Sequence, residues 1–75
     1  MFAFSLPQET AVSLNIYNVL GQRVITLVDS PIPAGDHQLT WDGYDCKGRL
    51  VTSGIYFARF IAGDFTCTKK IIMMK

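Results

Sequence analysis

The stretch that decides the fold is Ala11-Val12-Ser13-Leu14-Asn15-Ile16-Tyr17-Asn18-Val19-Leu20-Gly21-Gln22-Arg23-Val24-Ile25-Thr26-Leu27-Val28. Val12, Leu14 and Ile16 alternate with Ser13, Asn15 and Tyr17. A period of two puts the apolar set on one face of a half-buried strand. Asn18 and Gly21 then punctuate the chain. Asn bonds its own backbone at the start of a turn, and Gly accepts the left-handed conformation at its end. Gln22 to Val28 reads as the return strand of a hairpin. Val24 and Leu27 stand three apart, which breaks the alternation and predicts a bulge. The run is β-branched and short, so it is a strand and not a helical turn.

The same reading extends outward. Phe2, Phe4 and Leu6 line one face of a first strand that Pro7 stops. Residues 29–36, with Pro31, Pro33 and Gly35, read as loop. His37 to Asp42 forms a further strand with Leu39 and Trp41 on one face. Asp42 to Gly48 is a polar loop, and Arg49 to Val51 a short strand closed by Thr52-Ser53-Gly54. In Ile55 to Ala62 the residues Tyr56, Ala58 and Phe60 share a face. Both faces are largely apolar, which predicts a central strand partly covered twice. Ala62-Gly63-Asp64 turns the chain into a last strand, Phe65 to Met74, whose polar first half suits an edge.

No segment keeps a helical period. Six main strands and one short one, with turn signals between them, predict an all-β, immunoglobulin-like, two-sheet antiparallel sandwich. The expected core and turn residues are Leu14, Ile16, Gly21, Leu39, Trp41, Gly48, Gly54, Tyr56 and Phe60. The 75 residues allow one domain, 1–75. It begins directly in strand-like sequence, so a fragment of a larger protein is expected. Hydrophobic residues make up 49% and charged ones 17%, which excludes a disordered segment.

The net charge is +1, and no basic face argues for nucleic acid. No apolar run reaches the ~18 residues that a membrane helix needs. The stretch from Met1 to Leu6 lacks the basic region of a signal peptide.

Chemistry is sparse. Catalysis needs a positioned base, acid or nucleophile. The single histidine, His37, reads as a solvated strand-end residue. The acids Glu9, Asp29, Asp36, Asp42, Asp45 and Asp64 all fall in expected loops or at strand ends, where carboxylates cap turns. Asp42 and Asp45 do not make an EF-hand loop, because Tyr44 stands at the alternate position and no Glu follows. There is no phosphate-binding motif. Cys46 and Cys67 read as free thiols, and an oxidising compartment would permit a bridge. Tyr17, Tyr44 and Phe57 are either packed sheet surface or a carbohydrate or protein contact. No enzyme, cofactor or metal is expected.

Three blocks carry a family resemblance: LNIYNVLGQRVITLV (Leu14–Val28), PAGDHQLTWDGYDCKGRLVTSGIYFARF (Pro33–Phe60) and TKKIIMMK (Thr68–Lys75). Together they resemble the type A C-terminal sorting domain of type IX secretion cargo. The pattern is also similar to the Ig-like domain of flagellar hook-capping proteins. The most specific parts are Tyr17-Asn18 with Leu20-Gly21, Gly35, Trp41-Asp42-Gly43 with Gly48, and Ser53-Gly54-Ile55-Tyr56. Cys46 and Cys67 depart from the pattern, standing where polar residues are expected.

The sorting resemblance implies a protein of a Gram-negative bacterium, secreted or held at the cell surface by way of the periplasm. An outer-membrane translocon and a sortase-like peptidase would read the folded domain. Lys69, Lys70 and Lys75 on the last strand would be the implied recognition surface. Lysines there also blunt an edge strand. The alternative is a structural Ig-like or fibronectin-like accessory module, beside a passenger domain of an extracellular enzyme or in hook assembly. A carbohydrate- or cation-binding accessory domain ranks behind both.

Overall fold

A computed structural model describes residues 2–74. Six strands run in chain order: β1 (Phe2–Leu6), β2 (Thr10–Tyr17), β3 (Arg23–Ile32), β4 (Gly35–Leu39), β5 (Gly54–Ala62) and β6 (Phe65–Met73). They form two antiparallel sheets. One holds β1 and β4; the other has the order β3-β2-β5-β6. The expected seventh strand is reduced to a single bridge between Tyr44 and Leu50. Lys75, one of the three expected recognition lysines, lies outside the described residues.

β2 is central because its alternation is the cleanest. Val12, Leu14 and Ile16 are all but fully buried, each contributing about 1.5–3 kcal/mol. β3 pairs with it through two register shifts. Leu14 faces Val28 while Asn15 faces Thr26, so Leu27 is the extra residue. Ile16 faces Ile25 while Tyr17 faces Arg23, so Val24 is the second. These are the two residues whose spacing breaks the alternation. A bulge lets consecutive residues lean the same way, and Val24, Ile25, Leu27 and Val28 all pack on the core.

β3 also runs farther than the sequence indicates. Asp29 to Ile32 continue the pairing, and Pro31 sits opposite Ala11. The prolines suggest a loop, but β3 is an edge strand, where a missing N–H breaks no sheet ladder. β4 likewise begins at Gly35, and it ends at Leu39 before Trp41 is reached.

The core joins Leu14, Ile16, Trp41, Val51, Tyr56 and Ala58. Phe2, Leu39 and Phe60 pack against it from both sheets. The Phe4 and Phe60 rings meet at 4.9 Å between centroids. Trp41 and Tyr56 meet edge to face at 5.3 Å. Neither ring leaves a polar atom stranded: Trp41 Nε1 donates to the Tyr44 carbonyl at 3.0 Å, and Tyr56 Oη to the Thr52 carbonyl at 2.7 Å. The second bond has the form of the tyrosine corner of Ig-like sandwiches. β5 is an interior strand with unequal cover: Tyr56 and Ala58 are buried and Phe60 half-buried on one face, while on the other Phe57 and Ile61 are half-buried and Ile55 and Arg59 exposed.

Candidate functional site

Two loops of the same design stand at one end of the molecule. The first, Asn18 to Gln22, joins β2 to β3. The Asn18 N–H donates to the Gln22 carbonyl and the Gly21 N–H to the Asn18 carbonyl, both at 3.0 Å. Asn18 Oδ1 accepts the N–H groups of Leu20 at 2.9 Å and Gln22 at 3.0 Å. The second loop, Asp45 to Arg49, repeats this bond for bond. The Asp45 N–H donates to the Arg49 carbonyl at 2.8 Å and the Gly48 N–H to the Asp45 carbonyl at 3.0 Å. Asp45 Oδ1 accepts from Lys47 and Arg49, both at 2.9 Å. The fourth residue of each is a glycine with positive φ: 81° at Gly21 and 77° at Gly48. The expected turn roles of both glycines follow from this.

Bonds from outside fix the second loop in place. The Cys46 N–H donates to the Val24 carbonyl at 3.1 Å, tying it to the β3 bulge. The Val51 N–H donates to the Gly43 carbonyl at 2.8 Å. Asp42 caps the Tyr44 N–H at 3.2 Å. The backbone N–H of Arg49 is the main cause that lowers the pKa of Asp45; burial opposes it, and the Lys47 N–H and the Arg49 guanidinium lower it further. Arg49 Nε lies 3.4 Å from Asp45 Oδ2.

Between the loops runs an open groove of about 830 Å³. Val24, Val51 and Tyr56 form its less exposed wall. Val19, Leu20, Leu50 and Ile55 also line it, and all four are exposed, Leu20 at 78%. Arg23, Lys47 and Arg49 line it too, against one carboxylate, that of Asp45.

The remaining candidates lie elsewhere. Lys69 and Lys70 are both exposed on β6, which pairs only with β5. Lys69 sits opposite Ala58 and Lys70 opposite Phe57, so adjacent lysines leave opposite faces of the sheet. They form two positions and not one patch. Lys69 borders a smaller cleft of about 220 Å³ beside Phe2, Phe4 and Phe65. His37 is not a solvated strand end: it is half-buried within β4. Its Nε2–H donates to the Pro33 carbonyl at 2.7 Å, and its ring lies 5.4 Å from Phe4. Cys46 and Cys67 are free thiols, both exposed. Among the described residues no His, Cys, Asp and Glu side chains gather into a metal-binding group. Nor is any helix among the described residues long and apolar enough to cross a membrane.

The groove belongs to no single strand. Its signal is present: Asn18-x-x-Gly21 and Asp45-x-x-Gly48 are the same spacing twice. Only the pairing of β2 with β3, and the Cys46–Val24 bond, bring the two together.

The fold and this loop-built end define the class of protein: an immunoglobulin-like β-sandwich module. The model of the FlgD Ig-like domain family matches residues 2–60, and the chain belongs to that family. No curated protein and no solved structure matches the chain.

Proposed function

We propose that this Ig-like module is non-catalytic and works by being recognised as a folded surface. The observation that carries this reading is the loop-built end. Its backbone polar atoms bond to each other within the loops, and it exposes the apolar side chains of Val19, Leu20, Leu50 and Ile55 beside the cationic ones of Arg23, Lys47 and Arg49. Such an end holds a fixed shape and offers contact area. His37 supports the non-catalytic part, since its Nε2 is engaged by a backbone carbonyl.

The family favours an accessory module that packs beside a passenger domain or serves in an assembly of the hook-capping kind. A second reading is a sorting module for type IX export, read by the translocon and a sortase-like peptidase on the way to the cell surface. It is favoured by the resemblance of Thr68–Lys75 and by the exposure of Lys69 and Lys70 on an edge strand.

A reporter carrying this chain, sent to the periplasm of a type IX-competent host, separates the readings. Surface delivery that is lost on deleting residues 68–75, and lost in Trp41→Ala, supports sorting by a folded surface. A reporter that stays periplasmic rejects sorting and leaves the accessory reading. Delivery that survives Trp41→Ala unfolding contradicts recognition of a folded surface.

A further inference from the structure

We propose that the groove between the twin loops binds an acidic, partly apolar peptide segment of a partner protein. This deepens the recognition-module reading by giving the partner a chemistry, and it rests on that reading.

The charges are lopsided. The groove has Arg23, Lys47 and Arg49 in its lining, and Asp45 as its one acid. That carboxylate is already engaged: Oδ1 takes the Lys47 and Arg49 N–H groups, and Oδ2 the Arg49 guanidinium. Among the described residues Arg23 and Lys47 have no carboxylate partner. The chain as a whole is close to neutral at +1, so the cationic excess is local. An occupant must therefore bring negative charge.

It must also bring apolar surface. Leu20 and Leu50 are 78% and 55% exposed along the same groove, and Val19 and Ile55 are exposed with them. Hydrogen bonds of the first loop fix the backbone that carries Val19 and Leu20, the Tyr44–Leu50 bridge fixes that of Leu50 and the β5–β6 pairing that of Ile55, before any partner arrives, which lowers the ordering cost of association. An extended segment that alternates carboxylate and aliphatic side chains answers both demands. A purely polyanionic ligand answers only the first.

The test uses the full chain and a fluorescein-labelled peptide that alternates Glu with Leu and Val. Its partner probe has Lys in place of every Glu. Saturable binding of the Glu peptide, weakened by salt, with no binding of the Lys peptide, is expected. Arg23→Glu with Lys47→Glu should weaken it about ten-fold or more. Neither side chain takes part in the loop hydrogen bonds, and unchanged Trp41 emission checks the fold. Leu20→Ser with Leu50→Ser should also weaken it. A dye on Cys46 in Cys67→Ser should respond to the peptide, and a dye on Cys67 in Cys46→Ser should not.

Equal binding of the two peptides, or no effect of the charge reversals, overturns the proposal. So does binding of phosphatidylglycerol vesicles or single-stranded DNA without binding of the Glu peptide. Failure here with surface delivery of the reporter intact overturns the groove alone. Peptide binding with no delivery overturns the export reading alone.

Discussion

At the scale of the residue, Asn18 and Asp45 do the same work with different charge. Each accepts two loop N–H groups through one Oδ1. Asp45→Asn should therefore leave the fold intact, since Asn already performs this role in the twin loop. Asp45→Ala should lower the melting temperature. Asn18→Ala is expected to cost about 1–2 kcal/mol in urea unfolding, for two lost acceptor bonds. Gly48→Ala meets open space but a φ of +77°, so it should cost about 1–2 kcal/mol from backbone strain alone. Gly43→Ala has a φ of +87° and a Cβ at ordinary contact distance, 3.5 Å, from the Met73 side chain, so it should cost a similar amount, again from backbone strain. Proton binding follows the same geometry. The folded pKa of Asp45 lies below its unfolded value. Its contribution is thus complete above the ordinary aspartate value of about 3.9 and fades as pH falls through the lower folded value. The Lys47 and Arg49 amide resonances should move together in a single step centred on the folded value, below the ordinary aspartate value.

At the scale of the element, the two edges of the large sheet are protected differently. β3 carries Pro31 and two bulges. β6 pairs with β5 over nine residues without a register shift, so its outer edge is regular. A regular edge is a template for another strand, and lysines are a common defence. Lys69→Val with Lys70→Thr should leave thermal stability nearly unchanged and cause self-association in sedimentation velocity. A monomer at every concentration tested would contradict that role for the lysines.

Much at this scale is legible in the sequence, for physical reasons. Val12, Leu14 and Ile16 keep strict alternation, and β2 follows directly. Val24 and Leu27 mark both bulges by their spacing. Asp29 to Ile32 are not legible as strand, because proline forbids a central strand and edge status is set by the whole sheet. The short strand around Val51 is reduced to one bridge, yet Val51 itself is buried in the core. His37 looks exposed in sequence because the Phe4 ring that covers it is 33 positions away.

At the scale of the whole molecule, one aromatic pair links the sheets to the recognition end. Trp41 bonds the Tyr44 carbonyl beside the second loop, and Tyr56 lines the groove while its ring packs on Trp41. Trp41→Ala should cost on the order of 3–5 kcal/mol, which a domain this small will barely survive. Tyr56→Phe should cost about 1 kcal/mol, for the bond to Thr52. The single tryptophan reports the Tyr56→Phe loss by its emission; Trp41→Ala removes that reporter, and its loss is read by far-UV circular dichroism in urea.

Two exposed loops are held rigid by their own hydrogen bonds, and so present a fixed surface. Native-state amide hydrogen exchange tests it directly. Leu20, Gly21, Gln22, Lys47, Gly48 and Arg49 each donate within their loop and should exchange slowly, despite their exposure. Exchange of all six at the rate of an unstructured peptide would mean that the loops are not preformed, and that the surface described here does not exist before a partner binds.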